Sequence, residues 1–221
     1  MIAKRLFILS GLFLIISGIL YAVIVGIKNI DIDDFNPAAI VFVIDSSESN
    51  KGNIESQKTF IKNFCKTLDT EDKIKIIRFS QDAYLIYEGS PQNSSAITKS
   101  LNLYTNKEHE LSVISDAAKT AVSHCLEMQK NGYTPVIVIL SDLEDGVNAL
   151  KKFNWDTLPK NIQRTKKYIP DLTMAFLFAH PAKLDYVKEK LNPVLGETHL
   201  IISTEETVDK VPSIIFKAIG R

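Results

Sequence analysis

Cysteine is scarce in this chain: two residues, Cys65 and Cys125, among 221. That is too few for a disulfide scaffold, and the pair forms no CxxC, so neither a structural zinc site nor a thioredoxin-like site is indicated. Charge of one sign is missing too, since 26 Lys and Arg stand against 26 Asp and Glu. No global basic field exists to drive sequence-independent nucleic-acid binding. There is no GxSxG elbow, no glycine-rich phosphate loop, no internal repeat and no low-complexity tract. What is present, 45% hydrophobic and 24% charged residues, excludes a disordered or collagen-like chain.

Charge is absent for 22 consecutive residues, Leu6 to Ile27. As a helix this run is about 33 Å long, enough to cross a hydrocarbon core. It exceeds the apolar region of a secretory signal and lacks a small-x-small cleavage site, because Leu20 stands two positions before Ala22. Lys4 and Arg5 precede the run, and Lys28 is soon followed by Asp31, Asp33 and Asp34. The positive-inside rule therefore predicts residues 1–5 in the cytoplasm, a transmembrane helix over 6–27, a linker over 28–37, and a domain over 38–221 outside the cytoplasm. Beyond Lys28 the chain is mildly acidic and long enough for a single core.

Short β-branched runs recur at Ala39 to Ile44, Ile74 to Phe79, Val136 to Leu140, Leu172 to Phe178 and His199 to Ile202. Their hydrophobicity is continuous rather than alternating, which predicts strands buried on both faces of a parallel sheet. Ile54, Phe60, Ile61, Phe64 and Leu68 form one helical stripe; Val113, Ala117, Ala121 and Leu126 belong to a second helix. Lys183 to Leu191 and Glu205 to Ile219 predict two more, the last opened by Ser203 with Glu206 in capping-box spacing and either kinked or truly begun at Pro212. Ala83 to Tyr87 follows Phe79 too closely for a parallel crossover, so it should pair antiparallel at a sheet edge. The expected fold is α/β: a doubly wound, mostly parallel sheet with one antiparallel edge strand and helices on both faces. Such sheets bind ligands at the carboxyl ends of their strands. Right-handed crossovers in opposite directions put Cys65 and Cys125 on opposite faces as buried free thiols.

The first strand, AIVFVID, runs into Asp45-Ser46-Ser47-Glu48-Ser49, a DxSxS pattern, and VIVILSD ends a second buried strand at Asp142. A carboxylate and alternate hydroxyls leaving a strand end can turn into one pocket, and hard oxygens of this kind suit Mg²⁺ or Mn²⁺. The same residue types also cap turns and helix starts.

From about Ala38 onward the chain resembles the von Willebrand factor A domain with its metal-ion-dependent adhesion site. The resemblance is carried by IVFVIDSSES at 40–49, SVISDA at 112–117 and VIVILSD at 136–142. It implies that Ser47 and Ser49 bind the metal directly and that Asp45 reaches it through water. Ser112 stands where the family has a threonine ligand, and Asp142 matches the family's later aspartate, with Leu143 in place of the usual glycine. It also implies an open coordination position filled by a carboxylate from a protein ligand, hence a binding module rather than an enzyme. About ten residues separate the apolar run from the first strand, so that strand's carboxyl end should point away from the membrane, towards a partner in an envelope or surface assembly.

Glu48 and Glu144 flank these ligands and could tune metal affinity or repel acidic ligands; as loop acids they are equally ordinary solvated groups. Trp155, among Lys151, Lys152, Lys160, Arg164, Lys166 and Lys167, could anchor a partner surface or simply pack under a solvated helical face. His109, His124 and His199 show no ligand spacing, and His180 alone follows a strand end near the site. Two rival readings stand: a metal-dependent phosphate-ester hydrolase with Asp45 and Asp142 as ligands and His180 or Glu144 as base, and a metal-free domain that serves only as a scaffold.

Overall fold

The computed structural model describes residues 36–80, 82–105, 114–143 and 157–221. The apolar run at 6–27, Ser112, Glu144 and Trp155 lie outside them. Asn36–Arg221 forms one compact unit.

Six strands build the sheet: β1 (Ala38–Asp45), β2 (Lys73–Phe79), β3 (Ala83–Gly89), β4 (Thr134–Leu140), β5 (Thr173–Leu177) and β6 (Leu200–Ser203). Their order is β3-β2-β1-β4-β5-β6. All neighbours are parallel except β2 and β3, so Ala83–Gly89 is the antiparallel edge that its short connection demands. A register shift between Ile76 and Ile77 marks a bulge in that pairing.

The helices are α1 (Ile54–Cys65), α2 (Ser94–Thr105), α3 (Ile114–Lys130), α4 (Leu158–Thr165), α5 (Leu184–Leu195) and α6 (Val211–Ala218). Strand alternation sorts the apolar side chains into two cores. Ile40, Phe42 and Ile44 of β1 meet Phe60, Ile61 and Phe64 of α1, with Ile97 of α2 and Ile215 of α6. On the opposite face Val41 and Val43 meet Ala117 and Ala121 of α3, with Ile162 of α4 and Leu191 of α5. All eight residues of β1 are buried, which is why that segment reads as an unbroken apolar run. Cys65 joins the first core and Cys125 the second, both as free thiols. Burial pushes the Cys65 thiol up to about 12 and raises that of Cys125 further, so neither is a nucleophile at neutral pH.

The C-terminal segment departs from expectation. Residues Glu205–Lys210 are a 3₁₀-helix and the α-helix begins only at Val211, with Pro212 in its first turn. A proline lacks the N–H that a helix interior needs, but in the first turn that N–H would have no intrahelical partner, so nothing is lost there. The capping box is absent: Ser203 Oγ donates to Thr204 O at 2.9 Å and pairs with Thr207 Oγ1 at 2.7 Å. Among the described residues no helix is long and apolar enough to cross a membrane.

Candidate metal-binding site at the carboxyl edge of the sheet

β1 is the strand at which the connections reverse direction: one crossover leads to β2 on one side, and a later segment returns to β4 on the other. The crevice outside β1 and β4 is therefore the natural ligand position in a sheet of this topology. Asp45 ends β1, paired with Phe79 of β2, while Ile44 pairs with Leu140, two residues before Asp142.

Asp45 is fully buried, and its two carboxylate oxygens have different partners. Oδ1 accepts the Ser47 N–H at 2.9 Å, and Oδ2 accepts the Ser141 hydroxyl at 2.7 Å. The Asp45 carbonyl accepts Asn50 Nδ2 at 2.6 Å, which draws the loop back over the strand end. Burial raises the Asp45 carboxyl from 3.8 to about 6; the hydrogen bonds from Ser47 and Ser141 oppose the rise, and the charge of Asp142 adds to it.

The hydroxyls of Ser47 and Ser49 face one another at 3.2 Å. Two neighbouring ligands of an octahedral ion with bonds near 2.0–2.1 Å sit about 2.9 Å apart, so a small closure of this pair would fit Mg²⁺. Ser47 is buried and Ser49 exposed, which gives the pair one wall inside the protein and one open to solvent. Asp142 is half-buried, and its carbonyl accepts the His180 N–H at 3.2 Å. The candidate donors are thus the two hydroxyls and the carboxylates of Asp45 and Asp142, the charge of the second acting on the first. Among the described residues no three His, Cys, Asp or Glu side chains cluster to hold a metal.

Leu143, found where a glycine was the expected residue, has φ of 63°. The loop therefore keeps a glycine-like, left-handed turn with a leucine in it. That conformation costs a non-glycine residue about 1–2 kcal/mol, offset by burial of the side chain in the second core, where 3% is exposed. The Leu143 N–H donates to Ser141 Oγ at 3.0 Å, so Ser141 receives this turn's amide while donating to Asp45. Phe178, at the carboxyl end of β5, also has φ of 63°.

Of the residues proposed from sequence, the fold brings Asp45, Ser47, Ser49 and Asp142 to one edge. Glu48 is exposed in the same loop. His180 is adjacent through its backbone, but its ring accepts the Ala182 N–H at 3.3 Å and caps a turn. Ser141, Asn50 and Ser46 were not singled out by sequence. Ser141 could have been, as the hydroxyl preceding the strand-end aspartate in VIVILSD.

The family model described as von Willebrand factor type A domain matches residues 40–146. No sequence among the curated proteins matches the chain significantly. Solved structures share its fold at low identity. The pilus adhesin SpaC from Lactobacillus rhamnosus GG, in an open conformation, aligns at 13% identity and TM-score 0.63 over 84% of this chain and 30% of the adhesin. An aerotolerance-related membrane protein from Bacteroides fragilis aligns at 12% identity and TM-score 0.60, covering 83% of this chain and 98% of its own. Proximal thread matrix protein 1 from the mussel byssus, with a zinc-occupied MIDAS motif, aligns at 13% identity and TM-score 0.56 over 83% of this chain and 47% of that one.

Proposed function

Because residues 40–146 match the von Willebrand factor type A domain model, we propose that the chain is a binding module of that kind whose sheet edge holds Mg²⁺ or Mn²⁺ and presents it to a protein ligand. The observation that supports this reading is the facing pair of Ser47 and Ser49 hydroxyls, 3.2 Å apart beside a buried Asp45. Ser47, Ser49 and, by the resemblance, Ser112 would supply neutral oxygens alongside the carboxylates of Asp45 and Asp142. Mostly neutral ligands leave part of the ion's charge uncompensated, so a carboxylate from a partner is the favoured occupant of the open position. Hard oxygen donors favour Mg²⁺ or Mn²⁺ over the zinc named for the mussel protein's site.

The apolar run at 6–27 anchors the chain in the membrane in this reading, with the domain on the extracytoplasmic side. A pilus adhesin and an aerotolerance-related membrane protein share the fold, which is consistent with a role in an envelope or surface assembly. The site is one for binding, not turnover.

Thermal melting of the full chain in EDTA, Mg²⁺ and Mn²⁺ tests the reading, since a ligand bound only to the native state raises stability by mass action. Wild type is expected to melt higher with either ion, and Asp45→Ala to show no such rise. Equal behaviour of the two proteins would overturn it.

A further inference from the structure

Arg78, at the carboxyl end of β2, is only 5% exposed. Taking a guanidinium out of water costs several kcal/mol unless its donors are satisfied. Here Nε donates to Ser46 Oγ at 2.8 Å and Nη2 to Ser80 Oγ at 3.1 Å. Ser46 sits between Asp45 and Ser47, within the DxSxS pattern itself. It is fully buried, its hydroxyl passes its proton on to Phe79 O at 3.0 Å, and its N–H donates to the same carbonyl at 2.9 Å.

On this geometry, which rests on the metal-binding reading above, we propose that Arg78 is a positioning residue that holds the metal-binding loop in its binding-competent shape through Ser46. The residues on either side of Ser46 are the ones that matter. Ser47 N–H reaches Asp45 Oδ1 across it, so rotation of the Ser46 peptide would swing the Ser47 hydroxyl away from Ser49. A planar guanidinium with two donors in a fixed fork grips Ser46 and Ser80 at once, which a lysine ammonium on a flexible stem does not reproduce. The brace also reaches the surface: Tyr84, 52% exposed, has its ring centre 6.0 Å from Arg78 Cζ, and its hydroxyl donates to Asp82 at 3.2 Å. One buried cation thus ties the DxSxS loop to the β2–β3 turn and to an exposed aromatic on the same edge. A loop held in advance loses less freedom when the ion binds, and that difference appears as affinity.

The test is a Mg²⁺ and Mn²⁺ titration of the full chain at a temperature where every variant is folded. Arg78→Lys and Ser46→Ala are each expected to weaken both ions about tenfold, and the double variant to bind no worse than the weaker single one, because both act through one bond. Lys75→Met is the control. Lys75 is a buried cation on the same strand, paired with Glu88 at 3.1 Å and Glu127 at 2.8 Å, and it should leave affinity unchanged. Wild-type affinity in both Arg78→Lys and Ser46→Ala, even with lowered melting points, overturns the proposal and leaves Arg78 a structural residue. An equal loss in Lys75→Met overturns it as well. If Arg78→Lys does not fold, Ser46→Ala decides the question alone. Absence of ion binding by the wild type overturns the metal reading and this inference together, an outcome distinct from binding that the variants do not change.

Discussion

Ser141 donates its hydroxyl to Asp45 Oδ2 at 2.7 Å, a buried bond between residues 96 apart in the chain. It joins the ends of β1 and β4 at the point where the sheet's connections reverse. The same hydroxyl accepts the Leu143 N–H, so the carboxylate, the serine and the left-handed turn form one connected unit.

Ser141→Ala should therefore do two things. It leaves a buried carboxylate oxygen without its hydroxyl donor, at a cost of about 1–3 kcal/mol. It also removes a bond that holds the Asp45 carboxyl down, so that group should titrate above its present value of about 6. Mg²⁺ affinity near neutral pH should then fall more steeply on acidification than in wild type, as a titration at several pH values would report. An unchanged pH profile contradicts this role.

Asp45 also sets the pH dependence of the metal-free protein. Its native value of about 6 lies above its ordinary value of 3.8, so between these the folded state binds more protons than the unfolded state. Its contribution to stability is thus greatest below 3.8 and is lost as pH rises through about 6, by about 3 kcal/mol. Asp45→Asn stays neutral; its amide oxygen can still accept the Ser47 N–H, while its NH₂ replaces the second acceptor with a donor that Ser141 Oγ can accept after its hydroxyl turns away. Without metal it should be more stable than wild type at pH 7 and lack the wild type's decline between pH 4 and 6, while gaining nothing from Mg²⁺. Denaturant melts across that pH range give the answer.

Leu143→Gly separates backbone strain from packing. Glycine removes about 1–2 kcal/mol of left-handed strain, but emptying a buried leucine site costs about 2–5 kcal/mol. The net expectation is a destabilisation of about 2 kcal/mol in urea melts. A stabilised variant would show that the turn, not the core, governs this position.

Gln57, on α1, is fully buried, and both polar atoms of its amide lack a hydrogen-bond partner among the described residues. An unsatisfied buried amide costs about 1–3 kcal/mol. Gln57→Met has similar volume and no such groups, so its melting point should rise; a fall would show that the amide has a partner in solution.

The fold was legible because its strands carry an uncommon signature. A run such as Ile40–Ile44 is apolar on both faces, and only a sheet covered by helices on each side needs that. The antiparallel edge followed from the shortness of the chain between Phe79 and Ala83. Asp45, Ser47 and Ser49 were legible as neighbours in sequence at a strand end. The Ser141–Asp45 and Arg78–Ser46 bonds were not, since they depend on which strands lie side by side and on register. Lys75 was equally hidden: within an apparently apolar strand it is a buried cation that meets Glu88 across the bulged edge and Glu127 and His124 on α3. The missing capping box has a local cause, because Ser203 still belongs to β6 and its hydroxyl bonds within the turn that follows.

The most direct test of the account counts ions. Electron paramagnetic resonance of Mn²⁺ added to the full chain reports free ion, and hence bound ion per chain, without reference to stability. The account predicts one Mn²⁺ per wild-type chain, displaced by excess Mg²⁺, and none for Asp45→Ala or for Ser47→Ala with Ser49→Ala. A wild type that leaves all Mn²⁺ free, or variants that bind it as wild type does, would contradict the account.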